Sequence, residues 1–341
     1  MPTKKWILPE GIEDILPEQA YWLEKKRKEV IETFLSYGYG LVIPPLIEYH
    51  DSLLSNASDD LDLQTFKLID QETGKQLGLR ADITSQISRI YSTYCNPNEI
   101  NRFCYFDHVV RTNARDSKGS RIPIQAGAEL IANYDINNDA EIINLMLDVV
   151  KIFSKKKIYL DLGHVGIFKK LMNYADLKKE DEKIIKELIK SKSSSDIKKY
   201  MTSLNVDPNF KEIICNFPKM HGAIKNISND SRDLKNFDPD IEKDIKYMID
   251  LCSSIEGNHS DVEIKYDFCE LPGFDYENGI LFSVYLVNDS KEVAIGGKYN
   301  FDKDNMPGIG FSVDVRNLLK DYDNFSIKNK SGKWVIEDND E

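Results

Sequence analysis

No stretch of this chain approaches the ~18 consecutive apolar residues of a membrane span, and Met1–Trp6 leads into Leu8-Pro9-Glu10-Gly11 rather than an apolar signal core. Cysteine is scarce: Cys95, Cys104, Cys215, Cys252 and Cys269 are odd in number, scattered, and without a CxxC spacing. That excludes a disulfide framework or a zinc knuckle and suits reduced core residues in a cytoplasmic protein. His50, His108, His164, His221 and His259 show no HxxxH or HExxH pattern, so no metal site is expected. A GxSxG nucleophile elbow is missing, and Gly296-Gly297-Lys298-Tyr299, which reads as a glycine turn between strands, lacks the GxxxxGK[ST] spacing of a phosphate loop. Basic charge is in deficit as well. With 45 Lys and Arg against 57 Asp and Glu, the net charge of −12 argues against a broad nucleic-acid surface.

What the chain does have is length and alternating pattern. Its 341 residues suffice for one large domain with an insertion, or for two domains. Pro17-Glu18 opens a helix with an apolar face of Ala20, Leu23, Val30, Ile31 and Phe34, ended by Gly38. A strand follows at Leu41–Ile43, then a polar loop over Ser55–Leu63. A hairpin of Thr65–Ile69 with Gln76–Arg80 precedes a helix over Ile83–Tyr94. Cys104–Arg111 and Ile124–Ile131 alternate as two strands, Ile142 to Phe153 has helical spacing, and Lys157–Leu162 is the next strand. From Lys169 to Ser254 charged residues crowd in and only helical periodicity survives, as at Ile241, Ile245, Met248, Ile249 and Cys252. Strands resume at Val262–Phe268, Leu281–Val287, Val293–Ile295 and Ile309–Val313, followed by a helix over Asp314–Lys320. The expected fold is α+β: an antiparallel sheet flanked by helices, with residues 1–168 and 255–324 as core, 169–254 as a helical insertion, and 325–341 as a polar tail.

The chemistry concentrates at Arg111, Gln125 and Glu129. Gln125 and Glu129 are an even number of residues apart, so in an uninterrupted strand they share a face. Ala126, Gly127 and Ala128 between them leave room for a ligand. A guanidinium suits a carboxylate; a carboxylate beside an amide suits an amino group and a polar ring. A plain surface Arg–Glu pair is the bland alternative. Asp82 and Thr84 stand at a strand-to-helix transition, where capping the helix is the default role. A capping turn also presents its oxygens to a neighbouring amine.

These residues carry a resemblance that spans nearly the whole chain. Leu8-Pro9-Glu10-Gly11-Ile12-Glu13-Asp14-Ile15-Leu16-Pro17 resembles the opening of histidyl-tRNA synthetases, and Tyr37–Glu48 resembles class II motif 1, the dimerisation segment. Asp62–Leu68, Leu79-Arg80-Ala81-Asp82-Ile83-Thr84 and Leu160-Asp161-Leu162-Gly163-His164-Val165-Gly166 are closer to the synthetases' non-catalytic paralogues, the regulatory subunits of ATP phosphoribosyltransferase. The resemblance implies a class II synthetase-like fold in which Asp82, Thr84, Arg111, Gln125, Glu129 and Tyr276 fall on histidine-binding positions. Arg111 would hold the α-carboxylate; Asp82, Thr84 and Gln125 the α-amino group; Glu129 and Tyr276 the imidazole.

The departures bear on activity. Where a synthetase has Arg-Gly-Leu-Asp-Tyr-Tyr, this chain has Pro272-Gly273-Phe274-Asp275-Tyr276-Glu277; the motif 3 ending Gly-Leu-Glu-Arg reads Asp314-Val315-Arg316-Asn317; and motif 2's Arg-x-Glu reads Arg111-Thr112-Asn113. Two arginines and an acid on the ATP side are gone. After motif 3 only Tyr322–Glu341 remain, short of the ~50 residues of a small anticodon-binding domain. The resemblance therefore implies a subunit without catalysis, cofactor or tRNA, which partners a short-form ATP phosphoribosyltransferase catalytic subunit in a hetero-octamer and senses L-histidine. The enzymatic alternative is an aminoacyl-adenylating protein whose phosphate contacts have moved to Arg115, Lys118, Arg121 or Arg316.

Overall fold

The computed structural model describes residues 7–54, 59–114, 119–132, 135–271, 277–289, 291–301, 306–319 and 325–338. In chain order the elements are α1 (Pro17–Ser36), β1 (Gly40–Leu41), β2 (Ile47–Tyr49), α2 (His50–Leu53), α3 (Asp59–Gln64), β3 (Phe66–Ile69), β4 (Gln76–Leu79), α4 (Thr84–Tyr94), β5 (Asn101–His108), β6 (Ile124–Ile131), α5 (Ile136–Phe153) and β7 (Ile158–His164). They continue with α6 (Val165–Ala175), α7 (Lys179–Lys190), α8 (Ser194–Ser203), α9 (Pro208–Asn216), β8 (His221–Ala223), α10 (Ile227–Asp230), α11 (Ile241–Glu256), β9 (Glu263–Asp267), β10 (Glu277–Leu286), β11 (Glu292–Phe301), β12 (Met306–Asp314), α12 (Val315–Leu318), β13 (Phe325–Lys330) and β14 (Lys333–Asp338).

Nine strands form one sheet in the order β1-β5-β6-β12-β11-β10-β7-β9-β8, antiparallel except at its β1–β5 and β7–β9 pairs. Alternation along each strand gives the sheet two unlike faces. One carries Cys104, Phe106, Ala126, Ala128, Leu130, Phe282, Val284, Ile309, Phe311 and Val313 and is buried in a core shared with α1, α5 and α11. The other carries Asp107, Gln125, Glu129, Ser312 and Asp314, and is partly covered by Ile83 and by α4 through Ile87 and Tyr91. Helix α1 starts with Pro17 in its first turn, where a missing N–H costs nothing, and α5 starts from a capping box of Asp135 and Asn138.

Several expected elements differ. Ser55–Leu63 is not all loop: Asp59–Gln64 is helical, and 55–58 lie outside the described residues. The first strand is only Gly40–Leu41, because Pro44 and Pro45 end pairing beyond the bond from Val42 N–H to the Cys104 carbonyl. Gly296-Gly297-Lys298-Tyr299 is not a turn but the middle of β11, paired on both sides. Its glycines serve close packing: a Cβ at Gly296 would lie 2.2 Å from the Phe282 ring, and one at Gly297 2.6 Å from Leu281. Within 169–254 the helices are joined by one strand, β8, which extends the central sheet by pairing with β9. The polar tail folds as the β13–β14 hairpin, turned at Ser331 and Gly332, both with positive φ. Asp314 is the N-cap of α12 rather than its first residue.

Candidate functional site

The polar face of β5, β6, β12 and β11 holds the predicted residues, and the register shows how. Glu129 pairs with Gly310 on β12 and Phe103 on β5; Gln125 pairs with Asp314 and Asp107. Gly127 between them makes space for the Tyr105 ring, whose Cζ would lie 2.4 Å from a Cβ there. Gly310 does the same for Glu129: an added Cβ would sit 1.7 Å from Oε2.

Five of the six predicted residues fall into two linked groups. Glu129 is 1 % exposed; Thr84 Oγ1 donates to its Oε1 (2.8 Å) and the Tyr299 hydroxyl donates to its Oε2. Beside it, the Gln125 amide, oriented by its neighbours, donates to Asp82 Oδ1 (3.3 Å) and accepts from Arg111 Nη2 (3.2 Å). Arg111 Nε donates to the Ala81 carbonyl (3.1 Å). Arg111 is not in β5, which ends at His108; it makes an isolated bridge to Thr65 and is 4 % exposed. The expected capping role for Asp82 or Thr84 is absent, since α4 begins after Ile83 without a side-chain cap, which leaves both polar groups for the pocket. Tyr276, the sixth residue, lies outside the described residues, as does Pro272.

Tyr299 is the residue that sequence reasoning missed. The signal was present: Val293, Ile295, Gly297 and Tyr299 continue one alternation, which a turn at the glycines would have broken. Burial drives the Glu129 carboxyl up to about 8; bonds from Tyr299 and Thr84 oppose the rise, and the Asp82 charge adds to it.

The sign of the resulting pH dependence follows from linkage. The folded protein retains on Glu129 a proton that the unfolded chain releases near pH 4.5, so this stabilisation is complete below about 4.5 and is lost as pH rises through about 8. Its size is on the order of a few kcal/mol, each pKa unit being about 1.4 kcal/mol. Urea unfolding at pH 5 and pH 8 should give a smaller difference in stability for Glu129→Gln than for the wild type. An equal difference in both would place the titration elsewhere.

A cleft of about 200 Å³ continues from this pocket, sharing Arg111 and Gln125 and lined further by Ser120, Lys291, Ser312, Asp314 and Asn317. Asn317 is tied to Asp314 by side chain (3.1 Å) and backbone (3.3 Å). Of the cations that the sequence offered for moved phosphate contacts, Arg316 turns to Glu13 (3.2 Å) and Arg121 lies over the Phe66 ring (5.0 Å); neither lines the cleft, whose lining does include Lys291. Arg115 and Lys118 lie outside the described residues. No cluster of three metal-ligating side chains, and no helix long and apolar enough to cross a membrane, occurs among the described residues.

A mostly antiparallel sheet with helices on one face, and a carboxylate–amide–guanidinium pocket on the other, defines the class II aminoacyl-tRNA synthetase-like class. The family model for histidyl-tRNA synthetase matches residues 11–318. The ATP phosphoribosyltransferase regulatory subunit of Methylococcus capsulatus is 37% identical over 321 residues, covering 93% of this chain and 79% of that protein. An ATP phosphoribosyltransferase regulatory subunit/histidyl-tRNA synthetase from Bacillus halodurans has a similar fold, with a TM-score of 0.80 at 23% identity over 93% of this chain and 83% of the other. The ATP phosphoribosyl transferase complex from Thermotoga maritima matches with a TM-score of 0.66 at 18% identity, over 85% of this chain and 96% of that one. The chain belongs to the ATP phosphoribosyltransferase regulatory subunit family, a branch of the histidyl-tRNA synthetase-like proteins.

Proposed function

We propose that this protein is the histidine-sensing, non-catalytic subunit of a cytoplasmic ATP phosphoribosyltransferase, completing a short-form catalytic subunit for the first step of histidine biosynthesis. The observation that carries the reading is the pairing of a preserved amino-acid pocket with a neighbouring cleft that has lost its phosphate arginines. In the pocket, Arg111 binds the α-carboxylate, Asp82, Thr84 and Gln125 the α-amino group, and Glu129 with Tyr276 the imidazole, with Tyr299 bonded to Glu129. In the cleft, Asn317 stands at the motif 3 arginine position and is occupied by Asp314. Stabilising charge at a transferred phosphate is electrostatic work, and each missing donor costs ~10²–10³ in rate. Arg121 and Arg316 are engaged elsewhere, which weighs against the adenylating alternative.

Residues 1–168 and 255–324 serve as the synthetase-like core, with 169–254 as an insertion on it. Dimerisation runs through Tyr37–Glu48. There Ile43 is 71% exposed and Leu46 43%, beside the equally open Ile47 and Tyr49 of β2. Histidine acts by binding two states of the hetero-octamer unequally. The test is co-purification with the catalytic subunit and a phosphoribosyl-ATP assay with and without histidine. The full complex should respond to histidine, while the isolated chain should support no histidine-dependent ATP–pyrophosphate exchange above a buffer blank. Robust exchange would overturn the non-catalytic reading.

A further inference from the structure

Behind the pocket, on the opposite face of the sheet, lies a partly buried polar cluster, centred on the fully buried Asp139, that the pocket's chemistry does not use. Lys298 directly precedes Tyr299 in β11, so the two side chains leave the strand on opposite faces. Tyr299 bonds Glu129 in the pocket. Lys298 Nζ pairs with Asp139 Oδ2 (2.6 Å) and lies 4.8 Å from the centre of the Tyr247 ring. The Tyr247 hydroxyl donates to the same Asp139 oxygen. His164 meets the Tyr247 ring edge-on at 6.0 Å and faces Asp244 across 3.6 Å, and Asp244 pairs with Lys170 (2.6 Å). One chain of contacts thus joins β11, α5, α11, the end of β7, and α6.

We propose that the Lys298–Asp139–Tyr247 cluster couples occupancy of the amino-acid pocket to α11, with Lys298 as a positioning residue. This rests on the histidine-pocket reading above. Asp139 is fully buried, and a buried ion pair seldom repays its desolvation; an apolar pair of similar size would hold these elements together as well. Its Oδ1 has no hydrogen-bond partner among the described residues, so the carboxylate keeps an open acceptor to which a neighbouring donor can move. The trigger is on the pocket side. Both Glu129 oxygens are already taken, Oε1 by Thr84 and Oε2 by Tyr299. A carboxyl oxygen can accept a second hydrogen bond, but Glu129 is enclosed, so an imidazole N–H reaches it by displacing or turning one of those donors. A turn at Tyr299 is passed to Lys298, its neighbour in β11, through the backbone the two residues share.

The test is amide hydrogen exchange of the full chain, with and without L-histidine, comparing α11 with α1, which holds none of the cluster's residues. In the wild type, histidine should change α11 exchange relative to α1 by about fivefold or more, the lower end of common coupling factors. Tyr247→Phe keeps the ion pair and the ring but removes the hydroxyl bond to Asp139; Lys298→Met removes the ion pair. Both should lose most of the change while calorimetric histidine affinity stays within about threefold of wild type. Lys298→Arg should restore it. If Lys298→Met fails to fold, Tyr247→Phe decides alone. Histidine binding without a differential change at α11, or a change that survives in Tyr247→Phe, overturns the proposal. Absence of calorimetric binding to the wild type overturns the pocket reading instead.

Discussion

Arg111→Ala should weaken histidine binding by about 30-fold to several thousand-fold, because losing a buried charged partner for a carboxylate costs on the order of 2–5 kcal/mol. The guanidinium is almost fully buried, held by the Ala81 carbonyl and the Gln125 amide, so it is pre-aimed rather than recruited when ligand arrives. Arg111→Lys separates charge from shape: it keeps a cation but loses the planar fork, and should recover only part of the affinity. Calorimetry on the isolated chain measures both. Assembly with the catalytic subunit should survive, since the pocket is enclosed in the sheet face under α4 and Arg111 is almost fully buried. Wild-type affinity in Arg111→Ala would remove the residue from the pocket. A variant that neither binds nor assembles would make Arg111 a structural residue, bonded to Ala81 and Gln125 for stability alone.

The pocket's composition was legible in the sequence to the extent that it rested on strand parity. Gln125 and Glu129 share a face because β6 runs unbroken from Ile124 to Ile131. The pattern could not show which donors reach Glu129, since Thr84 and Tyr299 arrive from elements 45 and 170 residues away. Glycine was the main source of error. Read locally, Gly296-Gly297 marks a turn; in the sheet it is where two neighbouring strands press too close for side chains. Thr84 misled in the other direction, as a hydroxyl at a helix start favours capping, and here a buried carboxylate is the better acceptor. In the tail, Ser331-Gly332 is an ordinary turn signal, masked by the polar residues around it.

Gly310→Ala tests the pocket through its geometry rather than its charges. An added Cβ would stand 1.7 Å from Glu129 Oε2, 2.4 Å from its Cδ and 2.9 Å from the Ala128 carbonyl. A flexible surface carboxylate could swing away, but Glu129 is enclosed and bonded by Thr84 and Tyr299. The variant must expel a buried carboxyl from its bonds to Thr84 and Tyr299 or spread β6 from β12. Overpacking of this kind costs about 1–3 kcal/mol. Histidine affinity should fall at least as far as in Glu129→Ala, since the oxygen proposed to read the imidazole is displaced although the residue is still present. The double variant Gly310→Ala/Glu129→Ala discriminates causes. If the clash is with Glu129, truncating that side chain relieves it, so the double variant should unfold at higher urea than Gly310→Ala alone, a non-additivity expected only of touching residues. If the two stability losses simply add, the strain is in the β6–β12 backbone, and Gly310 says nothing about the ligand. If Gly310→Ala binds histidine as the wild type does, Glu129 does not read the imidazole.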